Sequence, residues 1–392
     1  MNPRVLMVTR ETAEDRKYGL GRSLAPLLEP MRACGVDVRY FCQEDLPATL
    51  LDKRRERSAW MAGLPGLRDH PLRQNLANAW QERLQVGAEA ARIAIAQGYT
   101  HVHAHDPWIA CGAAWGLLAG GGRGVRWGFT QHGFGSYSQA THEDGLTQGP
   151  RTMAWMRRIE RWIANRAAWV LAPTAASLAQ LARELGLPAP SAHWHHVPHP
   201  RPPLQVASEA QRHEARAALG YAEEDISVLA VGRLAPLKCF DRIVRACAAQ
   251  RDGRVRLLVL GAGDSSGLTA LARELGFDRL DIQSTQDVAP YYHAADIYMS
   301  ASSTESFGMA NLEALCAGLP AICSPVGGVP EVMGDGAWLV PNDADSLEGA
   351  LAALCADPAL RRAWSERAIE RASGWPGPVE VAQRYVAIYQ AA

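Results

Sequence analysis

The chain has 392 residues, 48% of them hydrophobic and 21% charged, with a formal net charge of −1. A single core usually stops growing at ~250–300 residues, so more than one domain is expected. The balanced charge excludes a global field that would draw nucleic acid or an anionic membrane.

The first predicted element is a buried strand, Val5-Leu-Met-Val-Thr9, followed by a polar loop through Gly19-Leu-Gly21. No cationic start leads into an apolar leader-type segment, and no run approaches 18 uninterrupted apolar residues. The nearest, Pro107–Leu118, is broken by Gly112 and Gly116. A helix is predicted around Arg22–Cys34 and a strand at Val36–Cys42. Gln43–Arg73, with its basic Lys53-Arg-Arg-Glu-Arg57, reads as a long mobile excursion. Strand-like runs return at His101–Asp106, Val125–Thr130 and Trp169–Pro173, with helical stretches between them. Such alternation argues a parallel sheet covered on both faces.

Histidines 101, 103 and 105 alternate along one strand, so they share a face and a metal site is conceivable. The plainer reading, a strand end that reaches a cleft, is preferred. Arg151–Trp169 interleaves Trp155, Ile159 and Trp162 with Arg157, Arg158, Arg161 and Arg166. A basic amphipathic helix can lie on an anionic membrane. More often such a stripe faces a core and leaves its rear solvated. Leu187–Pro203 holds six prolines and no helical period, and is read as an interdomain linker. Its histidines 193, 195, 196 and 199 are assigned to linker packing.

After the linker the alternation restarts at Ile226–Val231, Val255–Leu260, Asp281–Ser284, Ile297–Ser300 and Ala321–Ser324. Eight cysteines are scattered without a C-x-x-C pair, as reduced thiols in a cytoplasm would be. Gly261-Ala-Gly263-Asp264 lacks the third glycine of a dinucleotide loop and reads as a tight strand-to-helix turn.

The most informative stretch is Glu305-Ser-Phe-Gly308-Met-Ala-Asn-Leu-Glu313, between a strand and a helix. Amides at Phe307, Gly308 and Met309, with the positive helix end, favour an anion. Two carboxylates bracket the same turn and would repel a bare phosphate. A ligand with an anionic middle and hydroxyl-rich ends, such as a nucleotide-sugar, resolves the conflict. In Val231-Gly232-Arg233-Leu-Ala-Pro-Leu-Lys238-Cys-Phe-Asp241, Arg233 and Lys238 follow a buried strand, where open α/β sheets bind ligands.

These two blocks, with Ala317-Gly-Leu-Pro320 and Gly327-Gly-Val-Pro-Glu331, resemble glycosyltransferase family 4, retaining enzymes of the GT-B fold. The resemblance is clear over about residues 226–345. It implies an α/β fold of two Rossmann-like domains whose parallel sheets face across a cleft. Residues 1–200 would form the acceptor-side domain, joined by a last helix at 376–392, and residues 201–375 the donor side. It assigns Arg233 and Lys238 to the leaving diphosphate, Glu305 to the donor sugar and Glu313 to the ribose. Phe307, Gly308, Met309 and Ala310 would hold sugar and phosphate through their amides. His132, in Thr-Gln-His132-Gly, would lie beside donor sugar and acceptor. Gly19 and Gly21 would let backbone approach the phosphates, although the family usually has adjacent glycines there. Cys239 stands where the family usually has glycine. Asn311 and Glu331 are read as caps or exposed positions, and Ile282–Gln286 as the source of base contacts.

The implied activity moves a hexose from a nucleoside-diphosphate sugar to a glycan or lipid-linked acceptor in bacterial glycan synthesis. Attack would occur on the same face as the departing diphosphate. No acidic cage lies near the motifs, so no metal or other cofactor is expected. The expected setting is the cytoplasm, with peripheral contact at the inner membrane face an open possibility and no nucleic-acid partner. A GT-B nucleotide-sugar epimerase and a non-catalytic nucleotide-sugar-binding module are the alternatives.

Overall fold

The computed structural model describes residues 2–11, 19–143, 149–251 and 253–392. It divides into two compact units, Met1–Pro200 with Pro378–Ala392, and Arg201–Gly377.

The first unit is built on six parallel strands: β1 (Arg4–Val8), β2 (Asp37–Phe41), β3 (His101–Ala104), β4 (Arg126–Thr130), β5 (Val170–Ala172) and β6 (Trp194–His196). Their order is β2-β1-β3-β4-β5-β6. Period-two geometry sends alternate residues of β1 to opposite faces. Leu6 and Val8 pack with Val86 and Ala90 of helix Pro71–Gln97 and Ile109 and Ala113 of helix Pro107–Ala119. Val5 and Met7 pack with Leu24 and Leu27 of helix Gly19–Ala33 and with Val381, Tyr385 and Tyr389 of helix Pro378–Ala391. Burial on both faces is why β1 reads as an unbroken apolar run.

Two expectations need correction here. Gln43–Arg73 is not an irregular excursion: it contains a 3-10 turn at Gln43–Asp45 and a helix at Ala48–Ala62. That helix fully buries no residue, and only Leu50 and Leu51 pack against the core, so it has no apolar stripe from which a period could be read. The proline-rich Leu187–Pro203 is likewise not all linker. Its residues Trp194–His196 form β6, an edge strand in register with β5 at Val170↔Trp194. Only Trp194 of the three is buried, too little for an alternation signal.

The second unit carries β7 (Ile226–Val231), β8 (Val255–Leu260), β9 (Leu280–Gln283), β10 (Ile297–Ser300), β11 (Ala321–Cys323) and β12 (Trp338–Leu339). All pairs are parallel, in the order β12-β11-β10-β7-β8-β9. Val228 and Ala230 belong to one core and Leu229 to the other, so this sheet too is covered on both faces. The chain builds outward from β7 through β9, then returns to lay β10 on the opposite side of β7. Strand order therefore reverses between β7 and β10. In open α/β sheets the crevice at the carboxyl ends of such strands is where ligands bind.

Candidate active site

Both motif loops leave the sheet at that reversal point, one after β7 and one after β10. Ser303 N donates to the Leu237 carbonyl at 2.8 Å, which ties the second loop to the first. Gly328 N donates to the Glu305 carbonyl at 2.9 Å, adding the loop of the Gly-Gly-Val-Pro-Glu motif. Lys238 Nζ and Glu305 Oε2 lie 2.5 Å apart, with side chains 21% and 17% exposed. Arg233 is exposed, and no ion pair to it occurs among the described residues. A fixed cation–carboxylate pair thus stands beside a second, solvent-facing cation.

Lys238 is placed by an unusual backbone. Pro236–Lys238 form one 3-10 turn, after which Cys239 adopts φ 47° and ψ 41° before helix Phe240–Ala248 begins. Among the described residues it is the one non-glycine with positive φ. The departure from glycine noted in the sequence therefore falls at a left-handed position, where an L side chain is disfavoured. Gly261 closes on the same loop, since a Cβ there would lie 1.8 Å from the Gly232 carbonyl oxygen. The Gly-Ala-Gly turn between β8 and helix Ser266–Glu274 is thus a packing contact with the cationic loop.

Gly308, at φ 83°, caps helix Met309–Cys316. Met309 and Ala310 open that helix, and first-turn amides have no intrahelical acceptor. Phe307 anchors the turn, 1% exposed and edge-on to Trp375 at 5.7 Å. Glu313 lies one turn into the helix and is 5% exposed. Tyr292 Oη donates to Glu313 Oε2 at 3.0 Å and to the Ala310 carbonyl at 3.1 Å. Asn311 is buried rather than exposed, and the cap is Gly308, which corrects its reading. Tyr298 Oη donates to Asn311 Oδ1 at 2.8 Å. Glu331 is half-buried rather than exposed, in the first turn of helix Val329–Met333.

In the first unit, His132 is one member of a histidine stack. His103 and His105 stack with centroids 4.6 Å apart, His105 and His132 at 5.2 Å, and His132 and His199 at 5.6 Å. His105 Nδ1 and His132 Nε2 are 3.0 Å apart, which requires one ring to donate and the other to accept. His103 is held by Tyr389 Oη at 2.6 Å and Thr130 Oγ1 at 2.8 Å. Burial pushes all four imidazoles down, His103 to about 3 and His199 to about 4; for the first three, repulsion from neighbouring imidazolium charge adds to it. The group is therefore a neutral hydrogen-bonding stack at ordinary pH. Among the described residues no cluster of three or more His, Cys, Asp or Glu is arranged to hold a metal ion.

Gly19 and Gly21 begin helix Gly19–Ala33, and Gly21 N donates to Glu11 Oε1 at 2.9 Å. The polar loop before them lies largely outside the described residues. The sequence reading missed Glu11, Tyr292 and the buried pair Arg83–Asp106, 2.8 Å apart. Asp106 had a readable signal, an aspartate before a proline at a helix start. Its carboxylate accepts from Trp108 N and Ile109 N. Tyr292 and Arg83 had none, because only the tertiary fold gives them partners.

Comparison with known proteins now decides the family. The family described as Glycosyl transferase 4-like domain matches residues 18–198, and Glycosyl transferases group 1 matches residues 211–371. The chain belongs to glycosyltransferase family 4. A D-inositol 3-phosphate glycosyltransferase of Saccharomonospora viridis is 34% identical over 293 residues, 70% of this chain and 66% of that protein. The chain spans about half or less of the length of other curated relatives it matches. Among solved structures, sucrose-phosphate synthase from Thermosynechococcus elongatus aligns with TM-score 0.74 at 20% identity, covering 100% of this chain and 99% of the other. Anabaena Alr3699/HepE in complex with UDP-glucose gives 0.72 at 16%, covering 99% and 100%. At those identities the likeness establishes the fold, and this family-4 chain has the two-domain GT-B fold. No described helix is long and apolar enough to cross a membrane.

Proposed function

We propose that this chain is a retaining hexosyltransferase that uses a nucleoside-diphosphate sugar and needs no metal. The observation that carries the reading is the Lys238–Glu305 pair, set between exposed Arg233 and the helix start at Phe307–Ala310. Cleaving a sugar–phosphate bond leaves charge on the diphosphate. Lys238 and Arg233 would stabilise that charge more in the transition state than in the ground state. Glu305 would accept hydrogen bonds from sugar hydroxyls, the Phe307–Ala310 amides would hold phosphate, and Glu313 would take the ribose. A neutral His132 would hydrogen-bond the acceptor hydroxyl in the first unit, with Gly19 and Gly21 near the phosphates. Among the described residues of the motifs none stands out as a dedicated nucleophile, which favours same-face attack assisted by the leaving diphosphate.

The acceptor belongs to a glycan or lipid-linked class, and the relatives named as D-inositol 3-phosphate glycosyltransferases add a polyol phosphate to the panel. Eight free cysteines support a cytoplasmic setting. The test is a coupled nucleotide-release assay with UDP-, GDP- and ADP-sugars across those acceptors, with and without chelator. Acceptor-dependent release with retained anomeric configuration, unaffected by chelator, is expected. Isomerised donor without acceptor-dependent release would instead identify an epimerase.

A further inference from the structure

Three helices of the first unit enclose an apolar groove that glycosyl transfer as described above does not use. Helices Pro71–Gln97 and Pro107–Ala119 meet backbone to backbone, since a Cβ on Gly112 would lie 2.3 Å from the Leu84 carbonyl oxygen. Glycine at 112 allows that contact and leaves the groove floor without a side chain. The groove, of about 810 Å³, runs between this pair and helix Pro150–Arg166. Its walls are tryptophan. Trp115 stacks on Trp162 at 6.2 Å, and Trp155 lies 6.3 Å from Trp108. Trp115 is 60% exposed, Trp155 49% and Trp162 38%. Trp155 and Trp162 thus stay exposed, while Met156, Glu160, Ile163 and Ala164 are buried and Ile159 packs against the core, so the core-facing reading holds for the helix and fails for its tryptophans. Leu118, one turn beyond Trp115, extends the apolar strip.

The charge that helix Pro150–Arg166 brings to the groove has one sign. Glu160 is the only acid on Pro150–Arg166, and it is buried, accepting from Tyr137 N at 2.8 Å and Ser138 N at 3.0 Å. Every ionised group this helix shows to solvent is therefore an arginine. Arg158 lines the groove, and Arg166 lies over the Trp162 ring at 4.9 Å. We propose that the groove binds one acyl chain of an anionic phospholipid, with Arg158 and Arg166 on its phosphate. Exposed apolar patches of this kind mark binding surfaces. Tryptophans at the boundary between hydrocarbon and headgroup suit their amphipathic rings. A second copy of this chain is disfavoured as the occupant, because a two-fold interface would set the same arginines against each other. The inference does not depend on the donor assignment.

The test uses phosphatidylglycerol vesicles carrying a photoactivatable diazirine midway along one acyl chain, beside phosphatidylcholine vesicles with the same label. Adducts from phosphatidylglycerol are expected on Cys111, Trp115 and Ile159. Ala88→Phe fills the groove from an exposed position and should abolish those adducts without changing melting temperature or donor affinity. Arg158→Gln should weaken vesicle binding about fivefold, one charge's share at an anionic surface. Four results would overturn the proposal: equal labelling from phosphatidylcholine, adducts that survive Ala88→Phe, no labelling, or sedimentation showing lipid-independent self-association through this face.

Discussion

Lys238 Nζ donates to Glu305 Oε2 at 2.5 Å, joining the loop after β7 to the loop after β10. The cation assigned to the diphosphate is thus paired with the carboxylate assigned to the sugar. The pair is largely buried, so removing one partner leaves the other's charge partly desolvated. Lys238→Ala should lower melting temperature modestly. It should lower kcat by about 10²–10³, as loss of an oxyanion-hole donor does, with a smaller effect on donor affinity. Steady-state kinetics with calorimetric donor binding would check this, and near-normal kcat would sink the assignment.

Glu313 and Glu305 should separate by ligand part. Glu313→Gln is expected to weaken every donor with the same nucleoside, and free nucleoside diphosphate equally, since the proposed contact is to ribose. Tyr292→Phe should act in the same direction more mildly, because it removes the hydroxyl that holds Glu313 Oε2. Glu305→Gln should discriminate among sugars and spare the free nucleotide. Unchanged nucleotide affinity in Glu313→Gln would show the role to be wrong.

The sequence shows this site where function is local and hides it where function is relational. Glu305, Gly308 and Glu313 fall within one loop-helix segment, and Arg233 and Lys238 within one loop, so spacing alone brings each set together. The link between them is Ser303 N on the Leu237 carbonyl, 66 residues apart in the chain and set only by strand order. His199 reaches His132 in the same way, from a segment whose composition resembles a linker. The buried strands were legible because burial on both faces leaves an apolar run. Helix Ala48–Ala62 was not, because it has no fully buried residue and only Leu50 and Leu51 pack against the core, too few for a period.

Cys239 supplies a prediction about backbone strain. At φ 47° a non-glycine residue costs about 1–2 kcal/mol. Glycine would remove that cost but lose about 0.5–1 kcal/mol to unfolded-chain entropy, together with the packing of a buried Sγ. Cys239→Gly should therefore lie within about 1 kcal/mol of the parent. Cys239→Val, similar in volume but β-branched, should destabilise by at least about 2 kcal/mol and reduce kcat by displacing Lys238. Urea unfolding of both variants would decide this; equal stability of the valine and glycine variants would refute strain at this position.

The histidine stack predicts the acid limb of stability. Its four imidazoles are depressed below the ordinary value near 6.5, His103 to about 3 and His199 to about 4. Above that ordinary value neither folded nor unfolded chain holds the protons, and stability is independent of these groups. As pH falls below it, the unfolded chain takes up protons that the folded stack refuses, so stability falls. Each such histidine contributes a slope of up to about 1.4 kcal/mol per pH unit, which levels off near its folded pKa. Most carboxylates titrate lower, but burial lifts Glu160 to about 8, so between about 6.5 and about 5 it holds a proton in the fold that the unfolded chain lacks and offsets about one histidine's share in all three proteins alike. His199→Phe keeps a ring against His132 and should reduce the slope by about one histidine's share. His196→Phe, at an exposed position, should leave the slope unchanged. Urea midpoints measured across this window for the three proteins would test the stack directly: parallel curves for the parent and His199→Phe would mean that His199 is protonated as readily in the fold as in the unfolded chain.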